Sequence, residues 1–211
     1  MSADVVRGLV VLHGRGGDAA GMRAHLAPSL VGPDVAVAAP EAPGNSWWPT
    51  SFLAPAAQME PWVIRGLDAV DAAIAGLCLP RSAVAVAGFS QGGCLALEHA
   101  ARRGAGLAAV VAFSGGLVGT SDEGAPQDAL YGARDKAFDY GTDLSGLRAV
   151  ITCHERDPHI PIRRARDSAA ALRRLGATAT LIAHPGAGHH WLPEGCTAAR
   201  DVLRGQSAGH A

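Results

Sequence analysis

Neither sign of charge dominates this chain: 18 Lys and Arg stand against 19 Asp and Glu, a formal net charge of −1, and Lys136 is the sole lysine. That excludes a polybasic nucleic-acid binder as the default, because neutralising phosphates needs a concentrated positive face. Charged residues are also few, 18% against the usual ~25%. With 48% of the chain hydrophobic, a folded protein is expected rather than a disordered one. Cysteine is sparse, and Cys78, Cys94, Cys153 and Cys196 form neither a CxxC pair nor a short secreted framework. Free thiols in a reducing compartment are expected. No apolar run reaches 18 residues, which excludes an ordinary membrane span. The opening MSADVVRGLVVLHG carries no basic leader and only a short apolar run, so a soluble cytoplasmic protein without a signal peptide is expected. The 27 glycines keep no Gly-X-Y period, which removes collagen.

What is present fits one domain over residues 1–211. At this length folding buries roughly 70% of the surface of the unfolded chain, so a core needs no staples. Short apolar runs at Leu9 to Leu12, Val35 to Ala38, Ala83 to Ala87, Ala108 to Ala112, Ala149 to Thr152 and Ala177 to Ala183 predict strands. Most are continuous rather than alternating, as in strands covered on both faces. Helices are expected around 18–30, 61–79, 91–103, 162–175 and 194–205. In the fourth, Ile162, Ala165, Ala169, Leu172 and Leu175 share a face, and its arginines are expected on the solvated side. Alternating strands and helices predict a three-layer α/β sandwich with a mostly parallel sheet and a ligand crevice at the strands' carboxyl ends. Two irregular stretches, near 40–61 and 115–146, begin on that side, where long loops often serve binding.

The sharpest local signal is Gly88-Phe89-Ser90-Gln91-Gly92, a GxSxG between an apolar strand and an amphipathic helix. That context is the one a nucleophile elbow requires. Ser90 must sit in a strained turn to project its hydroxyl, and small Gly88 and Gly92 allow strand and helix to approach. The Gln91 amide at the helix N-terminus is aimed at developing negative charge. No GxxxxGK[ST] phosphate loop occurs. A serine needs a general base oriented by an acid, here in the chain order Ser, Asp or Glu, His. Asp157 leads among the acids because it follows a strand inside CHERDPHIP, with Glu155 as the alternate. His189 in HPGAGHHW follows the last strand, and its neighbour His190 competes for the same role. A second oxyanion donor is expected from the turn His13-Gly14-Arg15-Gly16-Gly17, through the Arg15 N–H. His154, Glu155, Asp157 and His159 are dense enough to raise a metal site, but HExxH is absent and a metal leaves Ser90 without a task. No metal and no cofactor are expected.

These residues resemble the phospholipase/carboxylesterase family of the α/β-hydrolase superfamily. The resemblance rests on LHGRGG at 12–17, the segment 39–55, EPW at 60–62, GFSQGG at 88–93, FSGGL at 113–117, DPHIP at 157–161 and PGAGHHW at 185–191. It implies an α/β-hydrolase fold, a Ser90, Asp157 and His189 triad, and oxyanion donors at Arg15 and Gln91. It also chooses His189 over His190. The first motif strand comes within a dozen residues, so the antiparallel strands that precede it in larger relatives are expected to be missing or reduced. His154, Glu155 and His190 stand where relatives carry smaller residues, and bear on substrate preference. The related dienelactone hydrolases carry cysteine at the elbow, and Ser90 argues against that branch. The implied activity is hydrolysis of small or modestly lipophilic carboxylic esters through an acyl-enzyme. A thioesterase or lysophospholipase is the enzyme alternative, and a catalytically silent binding module the other. Trp47, Trp48, Phe52, Leu53 and Trp62 are the expected pocket wall, a local satellite core being the competing reading. The partner is a small ester, with no nucleic acid and no stable membrane insertion; a homodimer is left open.

Overall fold

A computed structural model describes residues 6–126 and 128–206. Its strands are β1 (Gly8–Leu12), β2 (Ala36–Ala38), β3 (Val84–Phe89), β4 (Ala109–Phe113), β5 (Arg148–Arg156) and β6 (Thr178–Ala187). They form one sheet of order β2-β1-β3-β4-β5-β6, with every neighbouring pair parallel. No antiparallel strand precedes β1 among the described residues. The architecture is that of an α/β hydrolase.

The helices are α1 (Ala19–Gly21), α2 (Ala27–Leu30), α3 (Ala56–Gly76), α4 (Gln91–Arg103), α5 (Ile162–Arg174) and α6 (Pro193–Leu203), with a π-type stretch, Met22–Leu26, joining the first two. The pleat explains why the central strand sequences are continuously apolar. Val10, Leu12, Val84, Val86, Val110 and Ile151 enter one core with α3, α4 and α5. Their neighbours Leu9, Val11, Ala85, Ala87, Val111 and Val150 enter a second core with Met22, Leu26, Cys196 and Val202. Successive side chains face opposite ways, so a sheet covered twice needs apolar residues at both parities.

Three expectations are corrected. The irregular stretch near 40–61 ends early, because α3 begins at Ala56 and carries Pro61 inside it. Proline is favoured at a helix start, but Pro61 is not the start here. Instead the Thr120 carbonyl accepts the Ala56 N–H and Asp122 accepts the Ala57 N–H at 2.8 Å, so a distant loop satisfies the new terminus. Strands β5 and β6 run on to Arg156 and Ala187, past the polar residues where hydrophobicity fades. Arg164 on α5 is buried rather than solvated. Its guanidinium donates to Leu117 O and Gly119 O, both at 2.8 Å, and to Asp135 at 3.0 Å. It anchors the 115–146 stretch, which contains no helix or strand among its described residues. That stretch is stitched to the 49–55 segment by Gly119 N–H to Phe52 O, Thr120 N–H to Ala54 O and Gly132 N–H to Leu53 O.

Candidate active site

Ser90 stands between β3 and α4 at φ 54° and ψ −118°, a conformation that L-residues rarely adopt. Two glycines make the sharp turn fit. A Cβ on Gly88 would stand 2.2 Å from Gly92 O, and one on Gly92 would stand 2.2 Å from Leu12 O. The Ser90 N–H donates to Phe113 O at 2.9 Å and so fastens the elbow to β4.

His189 lies just beyond β6, and its Nε2 is 2.9 Å from Ser90 Oγ. Its Nδ1 is 2.9 Å from both carboxylate oxygens of Asp157, the residue immediately after β5. Oδ1 of Asp157 also accepts the backbone N–H groups of His159 at 2.8 Å and Ile160 at 2.9 Å. The carboxylate side chain is fully buried. Burial pushes its pKa up, but hydrogen bonds from His189, Ile160 and His159 outweigh that and hold it at about 2. The buried Ser114 hydroxyl adds a smaller lowering, although it closes no hydrogen bond of good geometry. An ionised Asp157 fixes hydrogen on Nδ1 and leaves the Nε2 lone pair toward Ser90.

The other candidates are separated by position. Glu155 is exposed near the end of β5. His190 is exposed, with its ring 4.6 Å from that of buried His154. The 188–190 loop sits directly on His154: a Cβ on Gly188 would come within 2.8 Å of the His154 ring. Among the described residues, no group of three or more His, Cys, Asp and Glu is arranged to hold a metal ion.

The glycine turn after β1 packs against the elbow, since a Cβ on Gly14 would lie 3.2 Å from Ser90 Cβ. His13 organises this turn. Its Nδ1 is 2.8 Å from Gly14 O, and its Nε2 accepts the Ala42 N–H at 3.1 Å. Among the described residues the Arg15 N–H has no protein acceptor, and Gln91 is the first residue of α4, so its N–H has no helical acceptor. Arg15 and Gln91 line the same cavity as Ser90. The Gln91 side chain accepts the Trp47 N–H at 2.9 Å and donates to Trp48 O at 2.8 Å, tying the elbow to the 46–48 segment.

A cavity of about 600 Å³ opens over Ser90 and His189. Of the aromatic and apolar residues singled out in the sequence, Trp48, Phe52 and Leu53 line it, and Trp47 and Trp62 do not. Trp47 is buried behind the wall, where its indole N–H donates to His13 O at 2.9 Å. Trp62 lies on α3, with the Arg65 guanidinium 4.7 Å above its ring. Their satellite-core reading describes these two. Residues that sequence reasoning passed over complete the wall: Phe89, Ile160, Leu130 and Tyr131, the last two being 60% and 65% exposed at the mouth. Leu130 and Tyr131 form an apolar pair within a long loop, a signal that was visible. Cys94 also lines the cavity, but burial pushes its thiol up to about 12, so it is no competing nucleophile.

Among solved structures the chain resembles a phospholipase/carboxylesterase from Dyadobacter fermentans, at 29% identity over 96% of this chain and 92% of that one, with a TM-score of 0.81. It also resembles esterase PE8, at 22% identity over 96% and 94%, TM-score 0.68. A carboxylesterase from Mesorhizobium loti follows at 17% identity over 93% and 88%, TM-score 0.67. No curated protein matches the chain significantly. The family model described as Phospholipase/Carboxylesterase matches residues 5–127, more than half of the chain. With the sheet order, the elbow and this match in hand, the chain belongs to the phospholipase/carboxylesterase family.

Proposed function

We propose that this protein is a serine-dependent carboxylic ester hydrolase that works through an acyl-enzyme on small or modestly lipophilic esters. The observation that carries the reading is the Ser90–His189–Asp157 relay, two contacts of 2.9 Å opening into the cavity. His189 Nε2 takes the Ser90 proton as Oγ attacks the acyl carbon. The Arg15 and Gln91 N–H groups hold the oxyanion, each such donor being worth about 10²–10³-fold in rate. The imidazolium then protonates the leaving alcohol, and water attacks the acyl-enzyme by the reverse route. Asp157 stays charged throughout and stabilises the imidazolium. The residues themselves supply every proton transfer in this scheme.

A second reading, a thioesterase or lysophospholipase, is favoured by one feature: the apolar wall of Trp48, Phe52 and Leu53 continues to exposed Leu130 and Tyr131 at the mouth. A series of acyl chains from C2 to C16 separates the two, since each usefully buried methylene is worth ~0.8 kcal/mol. A kcat/KM that falls steadily beyond C4 removes the second reading. We also place the protein in a reducing cytoplasm, because its four cysteines are free and three are buried. No helix among the described residues is long and apolar enough to cross a membrane.

The test of the main reading is fluorophosphonate labelling with hydrolysis of short p-nitrophenyl esters. A stoichiometric adduct at Ser90, lost in His189→Ala, is expected. Ser90→Ala should cost roughly 10³-fold or more in kcat. Absence of an adduct on the folded protein, or equal turnover without Ser90, removes the assignment and leaves a silent binding module.

A further inference from the structure

The cavity is electrically one-sided. Among the described residues Arg15 is the only Lys or Arg that lines it, and no Asp or Glu does. The Asp157 carboxylate, beside His189, is fully buried and committed to that histidine. Arg15 itself is exposed, and no carboxylate within ion-pair distance neutralises it among the described residues.

Its guanidinium is nevertheless held in place. One terminal nitrogen donates to Pro49 O at 3.1 Å and the other to Thr50 O. Both acceptors are neutral carbonyls of the cavity wall, so the side chain is oriented while its full charge remains. A guanidinium has five N–H donors, and two of those on Arg15 are used, which leaves three for a ligand. The N-terminus of α4, at Gln91, adds the positive end of a helix dipole to the same space. A cleft lined by one sign of charge concentrates ligands of the other sign. This field is local, because the chain as a whole carries a formal charge of only −1.

We infer that Arg15 is a specificity residue, and that the favoured substrates are esters carrying an anionic group, such as a carboxylate, within reach of the cavity rim. The inference rests on the ester-hydrolase reading and narrows its substrate class. Arg15 then has two separable functions: its backbone N–H meets the oxyanion, and its side chain meets a charge elsewhere on the substrate. Substitution of the side chain leaves the backbone donor in the chain.

Two pairs of matched substrates test this and locate the charge. On the acyl side, the p-nitrophenyl monoester of adipic acid is compared with its terminal amide. On the alcohol side, 4-acetoxybenzoate is compared with 4-acetoxybenzamide. The readout is the ratio of kcat/KM within each pair, at low and high salt. In at least one pair the parent should prefer the anion by about five- to tenfold, the scale of one partly exposed charge-assisted contact. Salt should shrink that ratio, Arg15→Met should bring it near one, and Arg15→Lys should keep part of it. Loss of the Pro49 and Thr50 tethers slows both members of a pair and leaves their ratio alone, so loop disturbance is not mistaken for lost recognition. Binding of adipate and benzoate to Ser90→Ala, by calorimetry, reads the same recognition without turnover. Anion binding that needs Arg15 in a protein hydrolysing no ester would refute the hydrolase reading and keep the cationic rim. Ratios near one in both pairs, unchanged in Arg15→Met while neutral esters are hydrolysed, would overturn the inference and keep the hydrolase.

Discussion

Replacing Asp157 by Asn should abolish most activity without unfolding the protein, and the reason lies in how the carboxylate is held. Oδ1 accepts two backbone N–H groups, from His159 at 2.8 Å and Ile160 at 2.9 Å. The Asn carbonyl oxygen must take that position, since an NH₂ there would face two donors. The amide NH₂ then falls at the Oδ2 position, 2.9 Å from His189 Nδ1. A donor at that point asks Nδ1 to be an acceptor, which moves the ring hydrogen to Nε2 and leaves nothing to take the Ser90 proton. Restoring the productive tautomer sets two N–H groups face to face, costing roughly 1–3 kcal/mol. The imidazolium also loses its counter-charge, worth about 4 kcal/mol at ~4 Å and an effective dielectric constant of 20. The two together are about 5 to 7 kcal/mol, an upper bound because the side chains relax. The expected loss in kcat is therefore roughly 10²–10⁴-fold. Steady-state hydrolysis of p-nitrophenyl butyrate measures it, with circular dichroism to show that the variant is folded. Glu155→Gln, on an exposed side chain, should cost less than about tenfold. A folded Asp157→Asn within tenfold of the parent, or a larger loss in Glu155→Gln, refutes the reasoning.

His189→Ala should remove nearly all esterase turnover, while His190→Ala, whose exposed ring meets His154 instead of Ser90, should retain at least about a tenth of kcat/KM, a loss of no more than ~1.4 kcal/mol. The reverse ranking in folded proteins would assign the base to His190. Gly92→Ala places a Cβ 2.2 Å from Leu12 O and 2.5 Å from His13 O, so α4 must move off the glycine turn. Urea unfolding should show a loss of about 1–3 kcal/mol or more, and kcat should fall well beyond KM; a stable, fully active Gly92→Ala contradicts the close approach. Asp157 also predicts an acid dependence of stability. Its folded pKa, about 2, lies below the ordinary 3.8, so its contribution is present above pH ~4 and lost as pH falls toward 2, amounting to at most about 2 kcal/mol. The stability gap between parent and Asp157→Asn should therefore narrow between pH 6 and pH 2.5; a constant gap speaks against the depressed pKa.

The six strands were legible because covering a sheet on both faces makes the central strands, and the cores of the others, continuously apolar, and that pattern needs no knowledge of the partners. The elbow was legible because glycine, strand and helix leave a local signature around Ser90. What failed was set by distant contacts. The start of α3 depends on Thr120 and Asp122, more than sixty residues away. Arg164 looks like any arginine of an amphipathic helix until the 115–146 stretch folds over it and presents carbonyls at 117 and 119. Trp47 and Trp48 are adjacent, yet only one lines the cavity. Composition is blind to that division, which is decided when His13 and Gln91 claim the Trp47 indole and backbone N–H groups.

The contributions of the strands explain where this molecule is free to vary. β1 and β3 are paired side by side and lead to Arg15 and Gln91, the proposed oxyanion donors, while β5 and β6 are paired and lead to Asp157 and His189, the proposed acid and base. β4 lies between the pairs and joins them past the last ladder rung: Phe113 O accepts the Ser90 N–H, and the Ser114 N–H donates to Thr152 O at 2.7 Å. The hydrogen-bonded sheet thus sets the spacing of the strand ends, from which the short 188–190 loop carries His189 to Ser90. The two segments that close the cavity, 49–55 and 115–146, are bonded to each other, to Arg15 and Arg164, and to α4 through Glu98 and Arg102. On the proposed reading, substrate preference falls to residues such as Arg15, Phe52, Leu130 and Tyr131, which line the cavity, and acyl-transfer chemistry to Ser90, Asp157 and His189 beyond the strand ends.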